Sequence, residues 1–523
     1  MDPVVLEKAL ETKCKNYTWL VRILFLTTTP IIFNSVHLTS YTFLGGNPSF
    51  FCNVPELVEA NWTKEQIREI SSPGLEKQSC VQYAWNYSLL KEMGFKEALD
   101  YFNRSPKPDV IKCKNYIYNE EVFHQTVVSE WDLVCDNAPL SSTVQGAVAI
   151  GKFFGAITFG LFSDRFGRKK IFVFSCLLYA IAGNVAAFVK SYAMFIMFRV
   201  LIGLAGAGVL DACYTIILEL TVKSYRACLG NMFNLGFSLG MVYLPVAAYL
   251  TSNWRQLELA ISVPMFLFII HCWFMPESPR WLITTGNFDK AAKILGKEHE
   301  LDFKEIARCP PEEPQSVLDQ VCIFWKRYLE LFSSLELTKR LLICSFTWFL
   351  GNLYYFSIAL NGSNIDVNEY LYVGLNGIVE IPGYLSPIIF LKYFGRRSTG
   401  IFLWFVAGVI LLATTVTPKG WPMMCISLFG RLVGTGAYGV VMLYASELFP
   451  TEHRNFAIGS CTTVAQLGPL LAPYLVDTLG KIAGWMPTAV CGLLALLGAF
   501  FLVLLPETRD TPMPDTIKEM NLR

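Results

Sequence analysis

Twelve separate stretches of this chain are apolar over about the 20 residues that a helix needs to cross a bilayer, and that pattern leaves few folds open beyond a bundle of spanning helices. Spans are expected near Leu20–Leu44, Leu140–Phe162, Ile171–Val189, Ala193–Leu220, Cys228–Leu250 and Leu257–Phe274. A second set is expected near Leu341–Leu360, Tyr370–Leu391, Gly400–Thr417, Met423–Leu443, Phe456–Leu479 and Trp485–Leu505. Composition agrees: 53% of residues are hydrophobic and 16% charged, against roughly 25% charged in soluble domains. The net charge of +1 gives no global field for a nucleic-acid partner, so useful charge must be local.

Short basic loops stay on the cytoplasmic side and fix the orientation. Asp164–Lys170 carries Arg165, Arg168, Lys169 and Lys170; Lys223 and Arg226 follow span 4; Lys392, Arg396 and Arg397 follow span 8. Each lies where an even-numbered span ends, so both termini, 1–19 and 506–523, are expected in the cytoplasm. No small-residue cleavage site follows the first apolar run, which reads as an uncleaved span. The loop 45–139 then lies outside, and it clusters the glycosylation sequons of Asn61, Asn86 and Asn103 with four cysteines, Cys52, Cys80, Cys113 and Cys135. Two disulfides are expected there, with three connectivities open. The remaining cysteines lack metal-type spacing, and no metal or cofactor is expected. Residues 20–276 form the first six-span half, 277–340 a charged cytoplasmic loop with helix-like stretches around Asp289–Leu295 and Leu318–Leu331, and 341–505 the second half.

Three signatures recur at a nearly constant offset. Gly167-Arg-Lys is matched by Gly395-Arg-Arg 228 residues later, Glu219-Leu with Arg226 by Glu447-Leu with Arg454 at 228, and Pro276-Glu-Ser by Pro506-Glu-Thr at 230. Parallel six-span repeats are the architecture of carriers whose halves rock about a central site near the membrane midplane. The fold class expected is therefore an all-α membrane protein, twelve transmembrane helices in two pseudo-symmetric six-helix halves. Asp164, Arg168, Lys169, Glu219, Arg226, Arg396, Arg397, Glu447 and Arg454 are expected to form inter-helix ion pairs that hold the cytoplasmic mouth shut.

At this point the sequence resembles the organic cation, anion and zwitterion transporters, solute carrier family 22, of the major facilitator superfamily. The resemblance rests on Gly160-Leu-Phe-Ser-Asp-Arg-Phe-Gly-Arg-Lys, Pro276-Glu-Ser-Pro-Arg-Trp-Leu, Glu380-Ile-Pro, Ser446-Glu-Leu-Phe-Pro-Thr, Leu505-Pro-Glu-Thr and Ser129-Glu-Trp-Asp-Leu-Val-Cys. It implies a carrier rather than an enzyme, in the plasma membrane. It also implies an aspartate in span 11 for cation carriers and an arginine there for anion carriers; this chain has Gln466 instead. Lys392 stands where the second-half loop motif holds an aspartate.

Ionisable residues inside a membrane mark sites by default. Lys152, Arg199, Asp211, Glu380 and Arg431 are the candidates. Asp211 with Tyr214 one turn on can hold an organic ammonium by charge and cation–π attraction. Lys152 can take a carboxylate or pair with Asp211, and Glu380 can serve the solute or the coupling of the cycle. Arg199 and Arg431 read as structural. Trp348, Tyr354 and Tyr355 in span 7 offer ring faces, and Gln466 completes the set. Gly434-Thr-Gly-Ala-Tyr-Gly fits a dinucleotide fingerprint but lies within a span, where small residues permit close packing. No Walker-type loop and no nucleophile–base motif is present, so ATP-driven transport and catalysis are disfavoured. The expected function is alternating-access transport, facilitative or ion-coupled, of small organic cations or carnitine-like zwitterions. An organic anion carrier is the nearest alternative and a non-transporting sensor the next. Association of the chain with copies of itself stays open.

Overall fold

The computed structural model describes residues 3–46, 48–73, 79–119, 125–296, 326, 329–450 and 453–509. The Leu318–Leu331 helix expected from the sequence lies largely outside them. Packing divides the chain into two units. A membrane unit contains residues up to Ser40, Gln145–Leu250 and Glu258 onward, and a loop unit contains Tyr41–Val144 and Thr251–Leu257.

Among the described residues, nine helices are long and apolar enough to cross a bilayer. They correspond to spans 1 to 5, 7, 9, 10 and 12, beginning with Tyr17–Thr39 and ending with Met486–Val503. The other three expected spans are also helical, two of them interrupted, and each carries a proline that disturbs its hydrogen bonding. Span 6 runs as Trp254–Ser262, a 3₁₀ stretch Val263–Ile270 and a last turn His271–Phe274. Pro264 has no N–H to offer the Ala260 carbonyl one turn back, and the Tyr243 hydroxyl of span 5 donates to that carbonyl instead, at 3.1 Å. Span 11 breaks at Gln466 into Arg454–Ala465 and Leu467–Ile482, where Pro469 leaves the Ala465 carbonyl without its helical donor. Span 8, Glu369–Tyr393, is continuous but carries Glu380, Pro382 and Pro387. There the Ser386 hydroxyl donates to the carbonyl of Gly383, at 3.0 Å, which Pro387 cannot serve.

Small residues let the helices close on one another. A Cβ added at Gly151 of span 2 would lie 2.0 Å from the Val200 carbonyl oxygen of span 4, and one at Gly203 would lie 2.1 Å from that of Val148. Without a hydrophobic drive between helices in lipid, such backbone contact supplies much of the association. The two halves meet along spans 5 and 8. Tyr249 and Tyr370 stand edge to face at 5.9 Å, and a Cβ on Gly377 would fall 2.7 Å from the Ser238 carbonyl oxygen.

In the loop unit, strand β1 (Phe50–Cys52) pairs antiparallel with β4 (Tyr116–Tyr118), and β2 (Val81–Tyr83) with β3 (Val110–Lys112). Phe51, Val54, Leu57, Ile67, Ile70 and Leu90 form its core. The structure settles the cysteine pairing left open by the sequence: Cys52 bonds Cys113, and Cys80 bonds Cys135. Each bridge closes a loop of some 60 residues or slightly fewer, which restrains the unfolded chain of a unit whose core is small. The Ser129-Glu-Trp motif acts as a clasp. The Glu130 carboxylate accepts from Trp254 Nε1 at 2.6 Å and pairs with Arg255, while Trp131 packs on Trp254 at 5.4 Å. Asn61, Asn86 and Asn103 are all exposed on this unit.

Candidate functional site

Span 4 (Tyr192–Glu219) places Asp211 and Tyr214 one turn apart, Asp211 half-buried and Tyr214 37% exposed. Phe233 of span 5 packs on the Tyr214 ring at 5.5 Å. Lys152 of span 2 is 5% exposed, and its Nζ lies 6.0 Å from the ring centre of Phe237 on span 5. Asp211 is the charge that acts on Lys152, yet the two form no ion pair within 4 Å, and among the described residues Lys152 has no hydrogen-bonding partner. An ammonium this deep in a spanning segment marks a site by default. Lys152 and Asp211 thus hold two opposite charges apart in the first half, with Tyr214 one turn beyond Asp211.

The second half presents a cleft lined by Tyr354, Tyr355, Tyr384, Arg431, Thr435 and Tyr438. Its charges are spent on each other. Glu380 is fully buried and accepts from Arg431 Nε at 3.0 Å, with a closer contact from the second guanidinium nitrogen. Arg431 also donates to the Tyr355 carbonyl at 2.7 Å and lies 3.9 Å over the Tyr355 ring. Glu380 receives a further hydrogen bond, 3.3 Å, from Ser238 of span 5, across the seam between the halves. Tyr355 lines the cleft, whereas Trp348 is buried in the core of its half against Tyr438 at 6.1 Å. Gln466 stands at the break in span 11, with its amide on the Thr462 carbonyl at 3.4 Å. Sequence reasoning did not single out Tyr384, Tyr438 or Ser238, since one tyrosine or serine in an apolar run carries no signal.

A second buried network occupies the first half. Arg199 reaches Glu258 at 3.7 Å and the Ser40 hydroxyl at 3.3 Å, and His37 stands between Glu258 at 3.6 Å and the Ser262 hydroxyl at 3.2 Å. Arg199, Glu258 and His37 are all fully buried. The sequence analysis missed Glu258, although an acid inside an apolar run was the available signal.

The repeated signatures converge into one cluster per half, at the ends of the even-numbered spans. Arg168 pairs with Asp164 at 2.8 Å and with Glu219 at 3.2 Å, while the Glu277 carboxylate accepts from the Lys169 N–H at 3.1 Å. Gly167 is at φ 100°, and a Cβ there would stand 2.6 Å from Glu277 Oε2. In the second half Arg396 pairs with Glu447 at 3.1 Å, Thr508 donates to Glu447 at 2.6 Å, and Glu507 accepts from the N–H groups of Arg396, Arg397 and Ser398. Each signature glutamate of spans 6 and 12 therefore caps the helix that its half's glycine opens. Burial works against the Glu507 charge, but the backbone donors of Arg509, Arg397, Arg396 and Ser398 outweigh it and hold the carboxyl below its ordinary range.

Other members of the expected set are engaged differently. Glu219 and Glu447 do not pair with the arginines seven residues on. Arg226 donates to the Leu218 and Thr221 carbonyls, at 3.0 and 3.1 Å, and Arg454 to that of Phe449. Arg397 likewise reaches a carbonyl, that of Val503, at 2.5 Å. Among the described residues, the ion pairs of these clusters also lie within one half rather than across the mouth. The side chain of Lys392 lies outside the described residues.

Comparison with known proteins agrees with this architecture. Residues 84–516 match the sugar (and other) transporter family. The organic cation transporter protein of Drosophila melanogaster is 32% identical over 95% of this chain and 91% of that protein, and solute carrier family 22 member 3 of Mus musculus is 31% identical over 91% and 88%. The inward-open structure of the xylose transporter XylE from E. coli superposes with a TM-score of 0.61 at 16% identity, covering 96% of this chain and 99% of that one. These matches, together with twelve helices in two halves and the repeated signatures, show that the chain belongs to the sugar (and other) transporter family and, within it, to the membrane transporters of solute carrier family 22.

Proposed function

We propose that this transporter carries small organic cations or carnitine-like zwitterions by alternating access across the plasma membrane, with both termini in the cytoplasm. The observation that carries the reading is the pair of opposite charges Lys152 and Asp211, which among the described residues form no ion pair, with Tyr214 one turn from Asp211. Asp211 meets the solute's ammonium, the Tyr214 ring adds about 1–2 kcal/mol of cation–π attraction where water is excluded, and Lys152 takes a carboxylate when the solute has one. In the second half Glu380 neutralises Arg431, so the cleft offers tyrosine faces rather than net charge. That balance suits an overall neutral or singly positive solute better than a dianion. Relatives named for organic cation transport support the same class. Exposed Asn61, Asn86 and Asn103 suit glycosylation of an outside loop.

The test is uptake of labelled tetraethylammonium and of labelled carnitine into vesicles holding the purified chain. Asp211→Asn is expected to lower both rates tenfold or more, while Lys152→Met lowers carnitine uptake and spares tetraethylammonium. Unchanged rates in Asp211→Asn would remove that residue from the site. Competition by dicarboxylates, with none by ammonium compounds, would replace this reading with an anion carrier.

A further inference from the structure

Away from Lys152 and Asp211, spans 1 and 6 leave an open-sided groove of about 360 Å³ at the end that the basic loops mark as cytoplasmic. Phe25 of span 1 and Leu267, Ile270 and Phe274 of span 6 form its walls, and Arg22 and His271 supply its polar groups. Phe25 is 60%, Leu267 63% and Phe274 54% exposed, and apolar surface so exposed on a spanning helix meets hydrocarbon. The volume falls in the range of sites that take small ligands, about 300–1,000 Å³.

The polar groups make this more than ordinary lipid-facing surface. Arg22 spends one donor on the Phe274 carbonyl, at 3.0 Å, and among the described residues it has no other hydrogen bond and no ion pair. A guanidinium has five N–H groups, so most of its capacity is free at the groove. His271 stacks on Phe268 at 5.2 Å, and its Nδ1 is buried without a partner. From Glu11 to Arg22 the chain carries three cations, Lys13, Lys15 and Arg22, against one acid. Basic pockets between spanning helices on the cytoplasmic side suit anionic headgroups, and the inner leaflet is where acidic lipids concentrate.

We propose that this groove is a binding site for one anionic phospholipid of the cytoplasmic leaflet, with its phosphate on Arg22 and an acyl chain along Phe25, Leu267 and Phe274. The site rests on the orientation read from the basic loops and not on Lys152 and Asp211.

The test takes the full chain, delipidated in detergent, and measures retained lipid by native mass spectrometry and thermal unfolding in nanodiscs of phosphatidylserine or phosphatidylcholine. One phosphatidylserine per chain is expected to survive competition by phosphatidylcholine and to raise the unfolding temperature. Arg22→Ala should weaken its retention about fivefold, the scale of one surface cation, and Arg22→Lys should keep most of it. Ile270→Trp, which fills the groove, should lower retention of the lipid in a chain that still folds. Arg165→Ala, which removes an exposed cation at the same end of span 2, should change nothing. Equal retention of the two lipids, an unaltered Arg22→Ala variant, or the same protection from free inorganic phosphate would overturn the proposal. Because no readout depends on uptake, failure here leaves the solute assignment untouched, and the reverse holds too.

Discussion

Arg431→Met is expected to lower the stability of the folded chain by about 3–5 kcal/mol, because it leaves the Glu380 carboxylate buried without its cation. The change also strips the Tyr355 carbonyl of its donor and the Tyr355 ring of its cation. Glu380→Gln alone leaves the guanidinium unpaired in the same place. The double variant Glu380→Gln, Arg431→Met removes both charges together, and replacing a buried pair by neutral groups of similar size is often close to neutral. Unfolding temperatures of the four proteins in detergent therefore define a cycle with a large interaction energy. Additive losses, with the double variant the least stable of the four, would show that the pair contributes nothing as a pair.

The second large effect is expected at Gly167. Its φ of 100° is one that residues with a Cβ rarely adopt, and an added Cβ would meet the Glu277 carboxylate at 2.6 Å and the Trp281 ring at 3.1 Å. Alanine there carries about 1–2 kcal/mol of backbone strain and dislodges a helix cap worth about 1 kcal/mol. Gly167→Ala should reduce uptake tenfold or more at equal amounts of protein in the membrane. Gly160→Ala, in the same signature but with nothing within 4 Å of the added carbon, should transport at close to the unmodified rate. Gly395→Ala separates the two contributions, because its backbone is at φ −68° and only the collision with Glu507 remains. Equal uptake by all three variants would rule out the cap as a working part of the cycle.

Much of this architecture is legible in the sequence because each signal has a simple physical origin. Apolar runs set the spans, basic loops suggest the orientation, and the offset shared by Gly167, Glu219 and Pro276 exposes the repeat. The failures are equally physical. An apolar run says nothing of whether the helix through it is continuous, so Pro264 and Pro469 were needed to see the breaks in spans 6 and 11. The pairing of Cys52 with Cys113 follows from how the loop unit packs, which the spacing of four cysteines does not announce. Partners are the hardest part to read. Glu219 finds Arg168 rather than the nearer Arg226, and Glu380 finds Arg431, because spatial neighbours in a bundle are set by helix packing and not by distance along the chain.

The seam along spans 5 and 8 has a mechanical consequence. Every ionic cluster described in the functional sites closes inside its own half, so a rocking motion carries those pairs along intact and need not rehydrate them one by one. The surface along this seam is low in profile: Gly377 presents bare backbone to Ser238, and Tyr249 turns an edge to Tyr370. Under the proposed cycle such a contact would serve as a bearing. The Ser238–Glu380 hydrogen bond is the detent in it, a single polar catch through which a change at the buried carboxylate would be felt as friction between the halves.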